Sequence, residues 1–149
     1  MLELETKFFG KKSIQENEIL YFPEGLLGFP EVKKFYLFKE NPDSPFLWLQ
    51  SVEKKELAFV VMNPHDIVKN YQPVVLSFDL EALEVKSLEE CSVFCILTIP
   101  ENHPEEMTIN LQGPVLINKA KKIGKQVISL DDRHKVRMNV FELIQKQTL

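Results

Sequence analysis

The sequence predicts a mainly β fold: a small antiparallel β-barrel-like domain with a few short helical turns. Short runs of β-branched and aromatic residues recur along its 149 residues, most of them bounded by Gly, Pro, Asn or Asp. Several runs alternate apolar and polar side chains with period two, as a half-buried strand requires. Little helical periodicity separates them, and many short strands without intervening helices imply a barrel or a sandwich. With 44% hydrophobic and 27% charged residues, the chain can bury a core without disulfide or metal staples. No linker divides it, so residues 1–149 are read as one domain.

At the N-terminus Leu2, Leu4, Thr6 and Phe8 alternate with Glu3, Glu5 and Lys7, which predicts a strand and not a signal peptide. That places the protein in the cytoplasm. Gly10 and the Lys11-Lys12 pair predict a hairpin turn into residues 13–15. Residues 18–22 read as a strand, stopped by Pro23, which has no N–H to donate. Gly25 and Gly28 let the chain reverse, yet Leu26, Leu27 and Phe29 are too apolar for a solvated turn. The turn either folds back over a core or offers an apolar knob to a partner. The first role is expected, with Phe29→Ala costing about 3 kcal/mol, as large core truncations do.

Residues 30–34 suggest one helical turn with Pro30 near its start, and residues 35–38 a strand. After a loop at 41–45, the runs 46–52 and 57–62 flank four charged residues and read as a hairpin of central strands. Residues 63–66 break that ladder, 67–70 suggest a short turn, and 74–78 read as a further strand. Helical turns are expected at 79–83 and 87–90, opened by Asp79 and Ser87 as caps. Residues 92–99 form the most apolar strand, expected in the middle of a sheet. Beyond a polar loop at 100–104, Met107, Ile109 and Leu111 mark a half-buried strand. Strands at 115–118 and 126–130 flank a reversal placed at Gly124, and Val140, Leu143 and Ile144 predict a short C-terminal helix.

The chemistry-bearing residues form no catalytic pattern. His65, His103 and His134 stand in polar segments without a second ligand at metal-site spacing. Cys91 and Cys95 read as free core thiols, and no phosphate-cradling loop exists, so no cofactor is expected. An orphan enzyme on a barrel therefore has nothing in the sequence to support it. The net charge is −4, but it is unevenly spread. Residues 79–106 are acidic, and residues 119–137 are basic. The basic stretch has no aromatic on which a base could stack, so a β-barrel RNA-binding or regulatory domain is the alternative and a protein-binding module the main reading. Asp79, Glu81, Glu89, Glu90, Glu105 and Glu106 are the candidate partner-binding residues. Glu89, Glu90, Glu105 and Glu106 are expected to be exposed, because unpaired carboxylates are rarely buried.

An ordered set of stretches resembles one family, the flagellar assembly factor FliW. The stretches are Phe22-Pro-Glu-Gly-Leu-Leu-Gly-Phe29, Pro45-Phe-Leu-Trp-Leu-Gln-Ser51, Thr98-Ile-Pro100 with Met107-Thr-Ile-Asn-Leu111, Pro114-Val-Leu-Ile-Asn118 and Gly124-Lys-Gln-Val127. Gly113 stands where the family commonly has Ala, and the segment beyond Asp132 departs from the family's aromatic ending. A monomer is expected from the traced alternation, and the resemblance implies a compact β-barrel-like protein without enzymatic activity. It implies flagellin and the carbon storage regulator CsrA, a small basic RNA-binding dimer, as partners, with no direct contact to nucleic acid or membrane. On flagellin export, the freed protein would sequester CsrA and relieve repression of flagellin translation.

Overall fold

A computed structural model of the chain describes residues 1–148 and resolves the alternation into short strands around two α-helices. Strands β1 (Leu2–Thr6) and β2 (Gly10–Ile14) form a separate antiparallel hairpin, with Leu2 opposite Ile14. Its turn falls at residues 7–9, before the expected position, and Gly10 opens the second strand at φ +66°. The buried Thr6 hydroxyl closes that turn: it donates to the Gly10 carbonyl (2.7 Å) and accepts from the Phe9 N–H (2.9 Å).

The other strands are β3 (Leu20–Tyr21), β4 (Lys34–Phe38), β5 (Leu47–Ser51), β6 (Ala58–Met62), β7 (Ser92–Thr98), β8 (Thr108–Ile109), β9 (Val115–Asn118), β10 (Ile123–Gln126) and β11 (Met138–Asn139). Seven of them close a ring in the order β3, β4, β5, β6, β7, β9, β10, with β10 returning to β3. Every pairing in the ring is antiparallel except β10 with β3, which is parallel at Ile123 and Tyr21. β7 is the hub: β6 lies on one edge, while β9 and β8 share the other, β9 along its first half and β8 along its second. The middle position read from its composition is thus the observed one. β11 pairs with β8 and leads into α2 (Val140–Thr148).

Phe22, Phe35, Leu49, Val61, Phe94, Val115 and Ile117 fill the barrel interior. Cys95, Leu97, Ile109, Val140 and Leu143 form a second core outside it, beneath α2. A third, smaller core gathers Leu83, Val85, Leu116 and Val127, with Leu80 of α1 (Ser77–Ala82) against it. Neighbours such as Phe94 and Cys95, or Val115 and Leu116, point to opposite faces and are both buried. That is why these strands are apolar on both faces.

Polar residues from the quoted stretches serve as clamps. Gln50, 1% exposed, accepts from the Lys7 N–H (2.9 Å) and donates to the carbonyls of Ser51, Lys55 and Leu57. It thereby ties the first hairpin to the β5–β6 turn. Ser51 Oγ accepts from the Glu53 and Lys54 N–H groups within that turn. Asn118 donates to the Leu83 carbonyl at the end of α1 (2.8 Å), and Gln126 accepts from the Leu27 N–H (2.9 Å). Each buried amide satisfies backbone groups in a loop or at the end of a ladder.

Several expectations are corrected. Residues 30–34 form no helical turn; a single bond from the Val32 N–H to the Phe29 carbonyl turns the chain instead. Residues 74–76 are extended but join no ladder, and residues 77–78 begin α1. Asp79 is no cap. It is the third residue of α1, whose N-cap is Leu76, and it is 6% exposed. Ser87 does cap its turn, Leu88–Glu90, through a capping box with Glu90. The β9–β10 reversal is carried by Lys122, at φ +58°, while Gly124 lies inside β10. The ladder of β10 stops at Gln126, so residues 127–130 continue only as an extended segment.

Candidate protein-binding surface

The acidic middle of the sequence does not become one patch. Asp79 is paired with Lys125, Oδ1 to Nζ 2.8 Å, and Lys125 also reaches Glu24 at 3.2 Å. Burial disfavours the Lys125 charge, but the hydrogen bonds it donates to Asp79 and Glu24, together with the attraction of both carboxylates, outweigh it and raise its pKa above the ordinary lysine value. Asp79 is thus unavailable to a partner, because its carboxylate could not stay buried without its ammonium. Lys121 likewise pairs with Glu84 at 3.1 Å, so part of the basic stretch neutralises part of the acidic one.

Glu81, Glu89, Glu90, Glu105 and Glu106 are exposed. The Glu90 carboxylate is committed to its own turn, accepting from the N–H groups of Lys86 (2.7 Å) and Ser87 (3.0 Å). Glu89 lines a shallow cavity of about 250 Å³ with His65, Tyr71, Leu88 and Cys91. Glu105 and Glu106 flank His103, whose Nδ1 lies 3.2 Å and 3.6 Å from their carboxylates. His103 therefore does have acidic neighbours, contrary to the spacing argument; the group is exposed, with the His103 ring hydrogen-bonded to Glu105. The first acidic pair precedes β7 and the second follows its far end. The seven residues of β7 set the two pairs about 20 Å apart, at the usual strand rise.

His134, although its segment is polar in sequence, is only 8% exposed. Its Nδ1 lies 2.7 Å from Ser129 Oγ, its ring 4.6 Å from the Tyr71 ring centroid, and its Nε2 3.8 Å from Asp131 Oδ2. A serine, a histidine and an aspartate thus meet without forming a catalytic triad. The carboxylate is beyond hydrogen-bond distance, and Ser129, 3% exposed, already accepts from the Val74 N–H. The trio braces residues 71–74 against residues 129–134. Burial pushes the His134 pKa down, partly opposed by Asp131. Cys91 and Cys95 are free, and burial pushes the Cys95 thiol up to about 12, where it is inert.

Sequence reasoning missed the residues with the largest exposed apolar area beside α1: Val74, Leu76, Phe78, Ile128 and Leu130. Their alternation was visible. It read only as part of two strands, because periodicity does not say which face is covered.

Buried polar side chains spent on bracing, with carboxylates and apolar groups facing outward, define a closed β-barrel whose accessible chemistry lies on its surface. No described helix is long and apolar enough to cross a membrane. The profile of the family described as FliW protein matches residues 3–140, and the chain belongs to that family of flagellar assembly factors. A flagellar assembly factor FliW of Leptospira interrogans serogroup Icterohaemorrhagiae serovar copenhageni is 47% identical over 141 residues, covering 95% of this chain and 94% of the relative. That of Magnetococcus marinus is 42% identical over 130 residues, covering 87% and 80%. A crystal structure of the flagellar assembly factor FliW superposes with a TM-score of 0.85 at 32% identity, covering 93% of this chain and 96% of the other.

Proposed function

We propose that the protein acts in the cytoplasm as a monomeric, single-domain, non-catalytic factor that binds flagellin and, once flagellin is exported, sequesters CsrA. The observation that carries this reading is the family match over residues 3–140. The surface adds a physical reason. Glu81, Glu89, Glu105 and Glu106 present carboxylates to solvent, complementary to a basic RNA-binding dimer. Such charges speed encounter with CsrA and repel RNA from the same region. The test mixes purified protein with flagellin and with CsrA and follows each complex by size-exclusion chromatography. A complex with each partner is expected, and added flagellin releases CsrA. Failure to bind flagellin overturns the reading.

A further inference from the structure

Val74, Leu76 and Phe78 keep 49%, 43% and 59% of their surface exposed, and Ile128 and Leu130 keep 46% and 56%. The two segments run side by side. The Leu130 N–H donates to the Val74 carbonyl at 2.8 Å, while Lys125 Nζ sits 4.8 Å from the centroid of the Phe78 ring. The contacts 74 with 130 and 78 with 125 run in opposite order along the two segments, so the segments are antiparallel. Val127 and Ser129 are 2% and 3% exposed, so the alternate residues 128 and 130 face outward, where Val74 and Leu76 also lie. Leu27, 56% exposed and held to Gln126 by its N–H, extends the strip at the Phe78 end. With residues 74–76 at strand rise, residues 77–78 at helix rise and Leu27 beyond them, the apolar strip is on the order of 15 Å long. Isolated exposed apolar side chains are normal on a protein surface, whereas a contiguous strip marks a contact surface.

The rim of the strip selects the partner. At the Phe78 end Glu24 and Asp79 share the single ammonium of Lys125, and Glu81 is exposed three residues after Phe78, on the same side of α1. At the Leu130 end Asp131 and Asp132 stand beside Arg133. Lys125 and Arg133 neutralise the largely buried Asp79 and Asp131, so the exposed carboxylates of Glu24, Glu81 and Asp132 leave the rim acidic. We propose that this strip docks a cationic amphipathic helix of a partner protein, about three turns long, with Lys or Arg flanking its apolar stripe. A two-fold contact between copies of this chain would set the acidic rim against itself, which disfavours self-association. The inference does not depend on which protein carries the helix.

The probe is a fluorescein-labelled 18-residue peptide with Leu at i, i+4, i+7 and i+11 and Lys on its other face, titrated with the full chain by anisotropy. Binding should be about tenfold tighter than for a scrambled peptide or one with Glu in place of Lys, and should weaken as salt rises. Leu76→Ser with Ile128→Ser should lose about tenfold in affinity with little change in Tm, since both side chains are half exposed and Ser suits the N-cap of α1. Glu81→Lys, a fully surface change, should also weaken binding. Equal binding of the scrambled peptide, or wild-type affinity in both variants, overturns the proposal. So does a concentration-dependent dimer in sedimentation that the Leu76/Ile128 variant dissolves, which would make the strip an interface between copies.

Discussion

The ring of Phe22 occupies the place where a side chain on Gly124 would stand: a Cβ there would lie 2.4 Å from Phe22 Cζ and 2.5 Å from Cε2. Phe22 is 0% exposed and meets Phe35 edge-on, centroids 5.3 Å apart, so the ring has nowhere to move. Gly124→Ala should therefore destabilise the protein by about 2–3 kcal/mol, as overpacking does. Phe22→Leu alone leaves a cavity, but the double variant should cost less than the sum of the two. Urea unfolding of the three variants checks this.

Lys125 and Asp79 form the least exposed ion pair among the described residues, with side chains 11% and 8% exposed. Lys125→Met strands a buried carboxylate and should cost about 3 kcal/mol. Asp79→Asn should cost less, because Lys125 keeps Glu24 and the amide can still accept a hydrogen bond. Reversed ranking of the two variants in thermal unfolding would refute this account of the pair.

The Gly25–Phe29 turn divides its apolar residues between the two roles weighed from the sequence. Leu26 is 2% exposed within the barrel core, while Leu27 and Phe29 are 56% and 39% exposed. Gly25 lets the turn close at φ +64°, where a Cβ would strike the Phe29 carbonyl oxygen. Leu26→Ala should cost about 3 kcal/mol. Phe29→Ala, which loses mainly the edge-on contact with Phe59 at 5.6 Å, should cost only about 1 kcal/mol, below the sequence-based expectation. Comparable losses in urea would put Phe29 back among the core residues.

The acidic residues allow a cleaner test than their sequence suggested. Glu105→Lys with Glu106→Lys touches no backbone hydrogen bond of those carboxylates, whereas Glu90→Lys would break a capping box. On the proposed function, the Glu105/Glu106 reversal and Glu89→Lys should each slow association with CsrA by several-fold at low salt, with Tm nearly unchanged. Stopped-flow rates equal to wild type at low salt would mean that these carboxylates serve solubility alone.

His134 makes stability depend on pH in a defined direction. Burial lowers its folded-state pKa below the ordinary histidine value of about 6.5, so the unfolded chain binds the proton more readily. Its contribution is complete above that value and is lost as pH falls through the folded one. Protonation also takes from Nδ1 the lone pair facing Ser129 Oγ, which already accepts from the Val74 N–H. The stability advantage of wild type over His134→Gln should shrink between pH 7 and pH 5, read by urea midpoints. A constant difference would show that His134 does not titrate against folding.

What the sequence by itself determined was local. The β5–β6 hairpin follows from two apolar runs around four charged residues, and the Leu88–Glu90 turn from Ser87 and Glu90 at capping-box spacing. The β class and the family resemblance were legible for the same reason: periodicity and turn chemistry act between residues close in the chain. Other features needed the tertiary structure. Whether Asp79 of α1 faced solvent depended on Lys125 arriving from β10. Gly124 looked like a turn because glycine serves both sharp reversals and close packing, and only the position of Phe22 distinguishes them. The alternation over residues 74–78 and 128–130 was equally compatible with a covered or an open face. The ladders stopped short of those residues, and the remaining chain covered their inner neighbours alone. A pattern of period two reports that one face differs from the other; what lies against either face is set by contacts between segments distant in sequence.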